Sequence, residues 1–421
     1  MARELCELEE GAARVFDLKD EEGYAEYFRF SAAQRLSRPG EHGFVVVRDV
    51  LESKQVQATI EEIWASPSLL GGRVDPEDPD TWSDGWPVGC RNFLDPLEPC
   101  SEVETWRNRV NPAVNRVFDV LWEGLPELDS DEEGASAEGG SLVMSVDRVG
   151  VMRPTKLCKA TTDGQMWVER PEWRTSRNWL HWDQNPWSSP GFTAVQGLLC
   201  LAGSSGSSGG FVTVPGFHRE FAHWSQRHPA GSIPKRSSTM IPFPVPVDDE
   251  MQARRRKVLV PSGGLLVWDS RLPHENFPNE DHSWRIVQYV TCKRLVISDL
   301  EHRARAWHAG LRTGLVPSSF ARRFAPAEQL RLGMAMDGDG SFGMAALQEA
   351  IAMGEMLSSE ALEAARKLRR AYRLKQTAEL PTELQEATAL FREAFAANPD
   401  LKLPLQCVAK SESTYLPFWL L

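Results

Sequence analysis

Short β-type runs recur through the middle third of this 421-residue chain, each bounded by Gly, Pro or Ser. They cover residues 142–152, 192–201, 211–215, 258–260, 265–268 and 285–291. Such spacing is typical of a β-sandwich or a jelly roll, in which successive strands are joined by turns. The sequence therefore predicts a mainly β core.

Helical patterns flank this β region. An amphipathic helix is predicted from Ser53 to Pro67, a second helix over 101–123, and helices continue after residue 300. We therefore predict three units: an N-terminal helix and loop segment (1–40), a β domain (41–300) and a C-terminal helical extension (301–421). Within the β domain, the acidic stretch 127–140 is predicted to be a mobile insertion, 203–210 (GSSGSSGG) a flexible connector, and 254–257 (RRRK) a solvated face.

Charge and cysteine usage exclude several classes of protein. The chain has 47 Lys plus Arg against 59 Asp plus Glu, a net charge of −12, which argues against a general nucleic-acid binder. Seven scattered cysteines without a CxxC pattern indicate reduced thiols and an intracellular, cytoplasmic protein. The first ten residues are acidic and unlike a signal peptide. No apolar run approaches the roughly 20 residues of a membrane span, so we expect a soluble protein.

The chemistry is concentrated in His181-Trp182-Asp183, with His274 and Arg285 further along. Residues i and i+2 of a strand project from the same face, so His181 and Asp183 can bind one cation together. Two His and one carboxylate form the ligand set of non-haem Fe(II) oxygenases, and His274 is the expected third ligand. The guanidinium of Arg285 can hold the far carboxylate of a dicarboxylic acid through paired hydrogen bonds.

Other histidines offer weaker alternatives. His218 and Glu220 form a competing HxE pair, but His218 ends a Pro-Gly turn, where a structural hydrogen bond is expected. His282 is the rival third ligand, yet it lies only three residues before Arg285. For His181 alone, the alternative is a core histidine with satisfied hydrogen bonds.

With these residues in order, the chain resembles the phytanoyl-CoA dioxygenase family of Fe(II)/2-oxoglutarate oxygenases. The matching pieces are 43–47 (GFVVV), 180–183 (LHWD), 209–218 (GGFVTVPGFH), 264–268 (GLLVW), His274 and Arg285. The resemblance implies a double-stranded β-helix (jelly roll) with added N-terminal and C-terminal helices. It also implies that His181, Asp183 and His274 bind iron, that Arg285 binds 2-oxoglutarate, and that Gln196 is a polar co-substrate contact.

The implied reaction is hydroxylation of a C–H bond in a small organic or lipid-like substrate, with dioxygen consumed and succinate and CO2 released. Because Asp183 keeps a carboxylate in the ligand set, halogenation is disfavoured. Two departures concern the substrate side: residues 203–210 replace the family's acidic turn, and the motif at 215–218 is PGFH instead of PGSH. Two other readings stay open, a catalytically silent jelly-roll scaffold and a metal-dependent cupin that does not use 2-oxoglutarate. The sequence leaves oligomeric state unspecified.

Tryptophan is unusually frequent, with 15 in the chain. Several lie near the predicted site, and we expect most of them to be core aromatics and not pocket walls. They are Trp82, Trp86, Trp179, Trp182, Trp187 and Trp268.

Overall fold

A computed structural model of the chain describes residues 14–33, 42–67, 69–86, 93–94, 100, 102–123, 141–161, 164–202, 205–230, 243–377 and 381–399. The acidic stretch 127–140, predicted to be a mobile insertion, lies outside these residues. So do residues 203 and 204 of the predicted connector.

The larger of two main sheets has eight strands, and every pairing in it is antiparallel except β1 with β2. Seven strands lie side by side, in the order β1 (Val15–Asp17), β2 (Phe44–Arg48), β13 (Leu265–Asp269), β9 (Val195–Cys200), β15 (Arg285–Leu295), β5 (Val149–Met152) and β3 (Phe93–Leu94). Strand β4 (Ser141–Met144) pairs with the last part of β15.

The smaller sheet has five antiparallel strands. Their order is β11 (Phe243–Pro244), β8 (His181–Trp182), β14 (His274–Phe277), β10 (Gly210–Thr213) and β12 (Arg256–Val258). A separate hairpin is formed by β6 (Lys156–Thr161) and β7 (Gly164–Glu169).

The two main sheets pack against each other because alternate residues of their strands are apolar. Leu198, Leu266 and Val287 of the larger sheet share a buried cluster with Trp182 and Phe211 of the smaller one. The intervening residues of the larger sheet face a second buried cluster, made with the helices on its outer side. This period-two division of each strand produces a sheet-on-sheet core with one helix-covered face. The predicted mainly β core is confirmed.

Helices lie between the strands of the β core and after its last strand. They are α1 (Glu21–Ala33), α2 (Ser53–Ala65), α3 (Thr81–Asp84), α4 (Glu104–Arg109), α5 (Pro112–Glu123), α6 (Phe221–Arg227), α7 (Met251–Arg254), α8 (Ile297–Arg312), α9 (Ser318–Ala321), α10 (Pro326–Arg331), α11 (Met344–Glu355), α12 (Ser359–Thr377) and α13 (Pro381–Ala397). The helix predicted over 101–123 is divided into α4 and α5. The reason is Pro112, which has no N–H to continue a helix but suits a first turn.

The C-terminal helices have an apolar core of their own. Trp307 and Phe320 pack there against Trp106 of α4, with ring centroids 6.0 and 4.9 Å from that indole. The last two helices pack against each other, with Leu368 of α12 and Ala394 of α13 in one buried cluster. None of the helices in the described ranges is long and apolar enough to cross a membrane.

Two local predictions are wrong, and for a shared reason. Lys257, expected on a solvated face, is only 3% exposed. Its ammonium donates hydrogen bonds to the backbone carbonyls of Ser205, Gly206 and Ser208, all in the segment predicted to be flexible. The hydroxyl of Ser205 also donates to Asp281, at 2.7 Å. Residues 205–210 are therefore anchored by a buried cation that lies about fifty positions later in the chain.

Candidate metal centre

The two histidines meet because β8 and β14 are neighbours. His181 lies directly opposite His274 in the antiparallel pairing, and their ring centroids are 4.6 Å apart. Both side chains are largely buried, with 9% and 11% of their surfaces exposed. Residues 93 positions apart thus become cross-strand neighbours, whose side chains leave the sheet on one face.

Backbone carbonyls fix the protonation of both rings. Nδ1 of His181 lies 3.1 Å from the carbonyl oxygen of Trp179, and Nδ1 of His274 lies 3.2 Å from that of Leu272. A carbonyl can only accept, so each Nδ1 carries the proton and donates it. In the neutral ring, each Nε2 then has a free lone pair, the state that a metal ligand needs.

Asp183 completes the cluster from the end of β8. Its Oδ1 lies 3.6 Å from Nε2 of His181, and its Oδ2 lies 3.5 Å from Nε2 of His274. One donor atom from each of the three residues can be chosen so that all lie within 4.8 Å of one another. Two ligands that are each about 2.1 Å from one ion lie roughly 3–4 Å apart, so this spacing fits a shared cation. The Asp183 side chain is 46% exposed, which leaves the cluster accessible on its side.

The Asp183 carboxyl is held in its ionised form. Burial opposes ionisation. When Nε2 of His181 and His274 also carries a proton, the hydrogen bonds and charges of these rings outweigh burial and keep the pKa of Asp183 well below its usual range, whereas a bound cation would take the place of those protons. Nε2 of Gln196 also donates to Oδ2 of Asp183, at 2.6 Å. Oε1 of Gln196 in turn accepts from Nε1 of Trp268, at 3.1 Å. This chain of contacts orients the carboxylate toward the two rings.

Aromatic rings enclose the histidines. The Trp179 indole stacks on His181 at 4.8 Å, and Phe211 stacks on His274 at 5.9 Å. Trp268 is tilted against His274 at 5.3 Å. The sequence predicted that most tryptophans near the site belong to the core, and Trp182, buried in the cluster between the sheets, does. It did not single out Phe211, although the alternation of strand β10 places this residue on the inner face.

Arg285 begins β15, opposite Met152 of β5. The residue is 2% exposed, yet Nη1 has no hydrogen-bond partner within the described part of the chain. Gly209 lets the side chain pass, because a Cβ built on this glycine would lie 2.5 Å from Cδ of Arg285. A buried guanidinium nitrogen without a partner is costly, and a carboxylate is the group that satisfies it best.

The alternative histidines are elsewhere. His282 is 67% exposed and pairs with the carboxylate of Asp281 at 2.6 Å, so it is not the third member of the cluster. Glu220, of the competing HxE pair, is in an ion pair with Arg254. Among the described residues, His181, Asp183 and His274 form the one group of three His, Cys, Asp or Glu side chains placed to hold a metal ion.

Comparison with known proteins gives a sequence relative. No protein-family model matches the chain. It is 22% identical over 287 residues to a putative phytanoyl-CoA dioxygenase of Dictyostelium discoideum, which covers 59% of this chain and 72% of the relative. The resemblance to the phytanoyl-CoA dioxygenase family is confirmed.

The chain also has a partial likeness to solved structures. The GlcNAc-inducible gene 2 protein of Candida albicans is 11% identical, with a TM-score of 0.47 over 90% of this chain and 89% of that one. The epimerase SnoN from nogalamycin biosynthesis, solved with Fe3+, alpha-ketoglutarate and nogalamycin RO, is 15% identical. Its TM-score is 0.39 over 65% of this chain and 84% of that one.

Proposed function

We propose that this protein is a non-haem Fe(II)- and 2-oxoglutarate-dependent dioxygenase that hydroxylates a C–H bond of a small organic or lipid-like molecule. The observation that carries the proposal is the convergence of His181, Asp183 and His274 on one side of the sheet-on-sheet core. In this reading the two main sheets form a double-stranded β-helix, and the predicted β domain (41–300) is its unit, with residues 301–421 as an extension.

The donor set fits iron. Two neutral imidazole nitrogens and one carboxylate oxygen, held on one face, leave the opposite face of an octahedral ion open for a co-substrate and dioxygen. The Nδ1 contacts with the carbonyls of Trp179 and Leu272 hold both Nε2 atoms toward the ion site. Gln196 holds Asp183 in the same way. Its predicted contact with the co-substrate stays a prediction, since its amide is engaged by Asp183 and Trp268.

Arg285 fits the distal carboxylate of 2-oxoglutarate. Its Nη1 lacks a partner among the described residues, and its neighbour on the inner face, Val287, is apolar and buried. A carboxylate there gains two charge-assisted hydrogen bonds and neutralises a buried cation. A cupin that does not use 2-oxoglutarate would leave this cation unexplained.

When bound, iron and 2-oxoglutarate supply the reduction of dioxygen coupled to decarboxylation of 2-oxoglutarate to succinate, with one oxygen atom entering the substrate C–H bond. The protein's own part is ligation, orientation and exclusion of water. Trp179, Phe211 and Trp268 cover the rings of His181 and His274, which keeps solvent from that side of the site.

The test uses the purified full chain. Anaerobic addition of Fe(II) and then 2-oxoglutarate should produce a weak visible charge-transfer band, and admission of air should release succinate even without a substrate. Asp183→Ala should lose both signals because it removes one of three ligands. Asp80→Ala removes an exposed carboxylate that is not a member of the cluster; it is the matched control and should behave as wild type. If wild-type protein shows neither signal, the silent scaffold is the better description.

A further inference from the structure

Strand β15 carries a second cation into the site. Its residues alternate between the two buried clusters: Ile286 and Val290 face the helices, whereas Val287 and Tyr289 face the smaller sheet. The strand pairs continuously with β9 from Val287 to Cys292, and its last residues, Cys292 to Leu295, pair with β4. The same alternation places Lys293 on the inner face, together with Arg285.

The position of Lys293 follows from register. Thr291 lies directly opposite Gln196, whose amide contacts Asp183. Residues opposite each other in an antiparallel pair have Cβ atoms about 5 Å apart. Lys293 is the next inner-facing residue of β15 after Thr291. Arg285 lies on the same face but before Thr291, so the two cations are on opposite sides of the Thr291–Gln196 pair. The candidate metal centre therefore lies between two cations of one strand, with Arg285 on one side and Lys293 on the other.

Lys293 has little to balance its charge. It is half-buried, and the described residues give its ammonium no ion-pair or hydrogen-bond partner. Burial lowers the pKa of Lys293, while attraction to Asp183 and Asp299 opposes that shift. Asp299 is exposed on α8, and the charge of Asp183 is taken up when a cation occupies the cluster. A half-buried lysine in this setting is stabilised by an incoming anion.

We propose that Lys293 binds an anionic group, a carboxylate or a phosphate, of the organic substrate. This inference rests on the proposed function and specifies the substrate class for the same site. Arg285 would hold the anion of the co-substrate and Lys293 the anion of the substrate, so the two molecules approach the metal from opposite sides. The ion pair then orients the substrate and selects acids over their neutral analogues.

The experiment uses full-length protein saturated anaerobically with Fe(II) and 2-oxoglutarate. The probes are straight-chain carboxylates from butyrate to dodecanoate, the corresponding alkyl phosphates, and the primary amides as neutral analogues. Binding is measured from the change in the charge-transfer band and from quenching of tryptophan fluorescence, since Trp179 and Trp268 contact the site histidines. Wild-type protein should bind at least one acid about tenfold or more tightly than its amide.

Lys293→Met should abolish the preference for the acid and keep the band, because it leaves the metal and co-substrate residues unchanged. Lys293→Arg should retain the preference. Lys54→Met removes an equivalent charge from an exposed site on α2 and serves as control. Carboxylate and phosphate series compared with each other identify which anion is preferred.

The inference is overturned if wild-type protein shows no preference for acids or if Lys293→Met retains that preference. It is also overturned if Lys293→Met lowers the affinity for 2-oxoglutarate. In each of these cases the wild-type band and basal succinate release remain, so the proposed function still stands. Absence of the band in wild-type protein would instead refute the proposed function.

Discussion

Two buried arginines distinguish the β core from the C-terminal helices. Arg303 of α8 is 6% exposed and donates to two backbone carbonyls, from Nε to Leu332 at 2.9 Å and from Nη2 to Met144 at 2.6 Å. Arg285 of β15 is 2% exposed, and its Nη1 has no partner in the described ranges.

The difference separates a polar group that is satisfied within the fold from one whose partner the described residues do not supply. Burial lowers the pKa of Arg303 to about 10, a cost that its carbonyl contacts offset within the fold. For Arg285 the fold supplies space, through Gly209, but leaves a donor unsatisfied. A polar group buried at a cost to stability and left without a partner indicates a binding role more directly than burial does by itself.

Replacing each arginine by methionine should distinguish the structural role from the binding role. These two substitutions have the largest effects that we expect on stability and on 2-oxoglutarate affinity. Arg303→Met leaves two buried carbonyls unsatisfied and should lower the free energy of unfolding by about 2–4 kcal/mol. Arg285→Met should change it by less than about 1 kcal/mol, because the cation it removes is uncompensated. The same variant should weaken 2-oxoglutarate binding at least about tenfold.

Urea titration and calorimetric binding of 2-oxoglutarate measure these two quantities. If Arg285→Met binds 2-oxoglutarate with wild-type affinity, Nη1 of Arg285 is not a co-substrate contact. The proposed difference in role between Arg285 and Arg303 would then be wrong.

Gly209→Ala should produce a smaller effect that sharpens the comparison. The new Cβ would lie 2.4 Å from Sδ of Met152 and 2.5 Å from Cδ of Arg285, so both side chains must move. We expect a cost of about 1–3 kcal/mol in stability, together with weaker 2-oxoglutarate binding because the guanidinium is displaced.

Thermal unfolding and the same binding assay measure this prediction. Gly340→Ala is the matched control, because a Cβ on Gly340 meets nothing within 4 Å. If the affinity for 2-oxoglutarate is unchanged while stability falls, Gly209 serves packing alone.

The smallest expected effect is a pH dependence in the helical region. His308 of α8 is 2% exposed, and burial lowers its pKa from 6.5, partly opposed by the contact of Nε2 with the carbonyl of Met334. The unfolded state then binds more protons than the folded state just below pH 6.5. Stability therefore falls as pH decreases through this range.

His308→Phe should reduce that slope, and urea unfolding at a series of pH values measures it. His223→Phe, at an exposed position of the short helix α6, is the comparison variant. An identical slope in wild type and His308→Phe would assign the acid sensitivity to other groups.

Much of the candidate site follows from local sequence rules. His181 and Asp183 are separated by one residue, and a strand necessarily places such residues on one side. The partnership with His274 depends on the tertiary arrangement, in which β8 and β14 are direct neighbours in the smaller sheet. Arg285 is predicted to lie in the site because it opens a strand after His274; this stays a prediction, and its Nη1 has no hydrogen-bond partner among the described residues.

Other features depend on contacts that no local pattern encodes. The strand predicted over 285–291 continues to Leu295, which brings Lys293 into the sheet. Lys257 was assigned to a solvated face because it ends a basic run. Its ammonium instead donates to backbone carbonyls of the loop that precedes β10, about fifty residues earlier in the chain. Gln196 is predicted to contact the co-substrate, and this stays a prediction, whereas its hydrogen bonds with Asp183 and Trp268 are set by the tertiary arrangement.

Strand β8 consists of only His181 and Trp182, and it is held between β11 and β14. A strand this short has few backbone hydrogen bonds of its own, so it is suited to open locally without the rest of the core. A cation that binds His181 and His274 at once would join β8 to β14 independently of those bonds. A bound cation should therefore stabilise the pairing of β8 with β14 in the smaller sheet. The amide protons of β8 should then exchange with solvent more slowly.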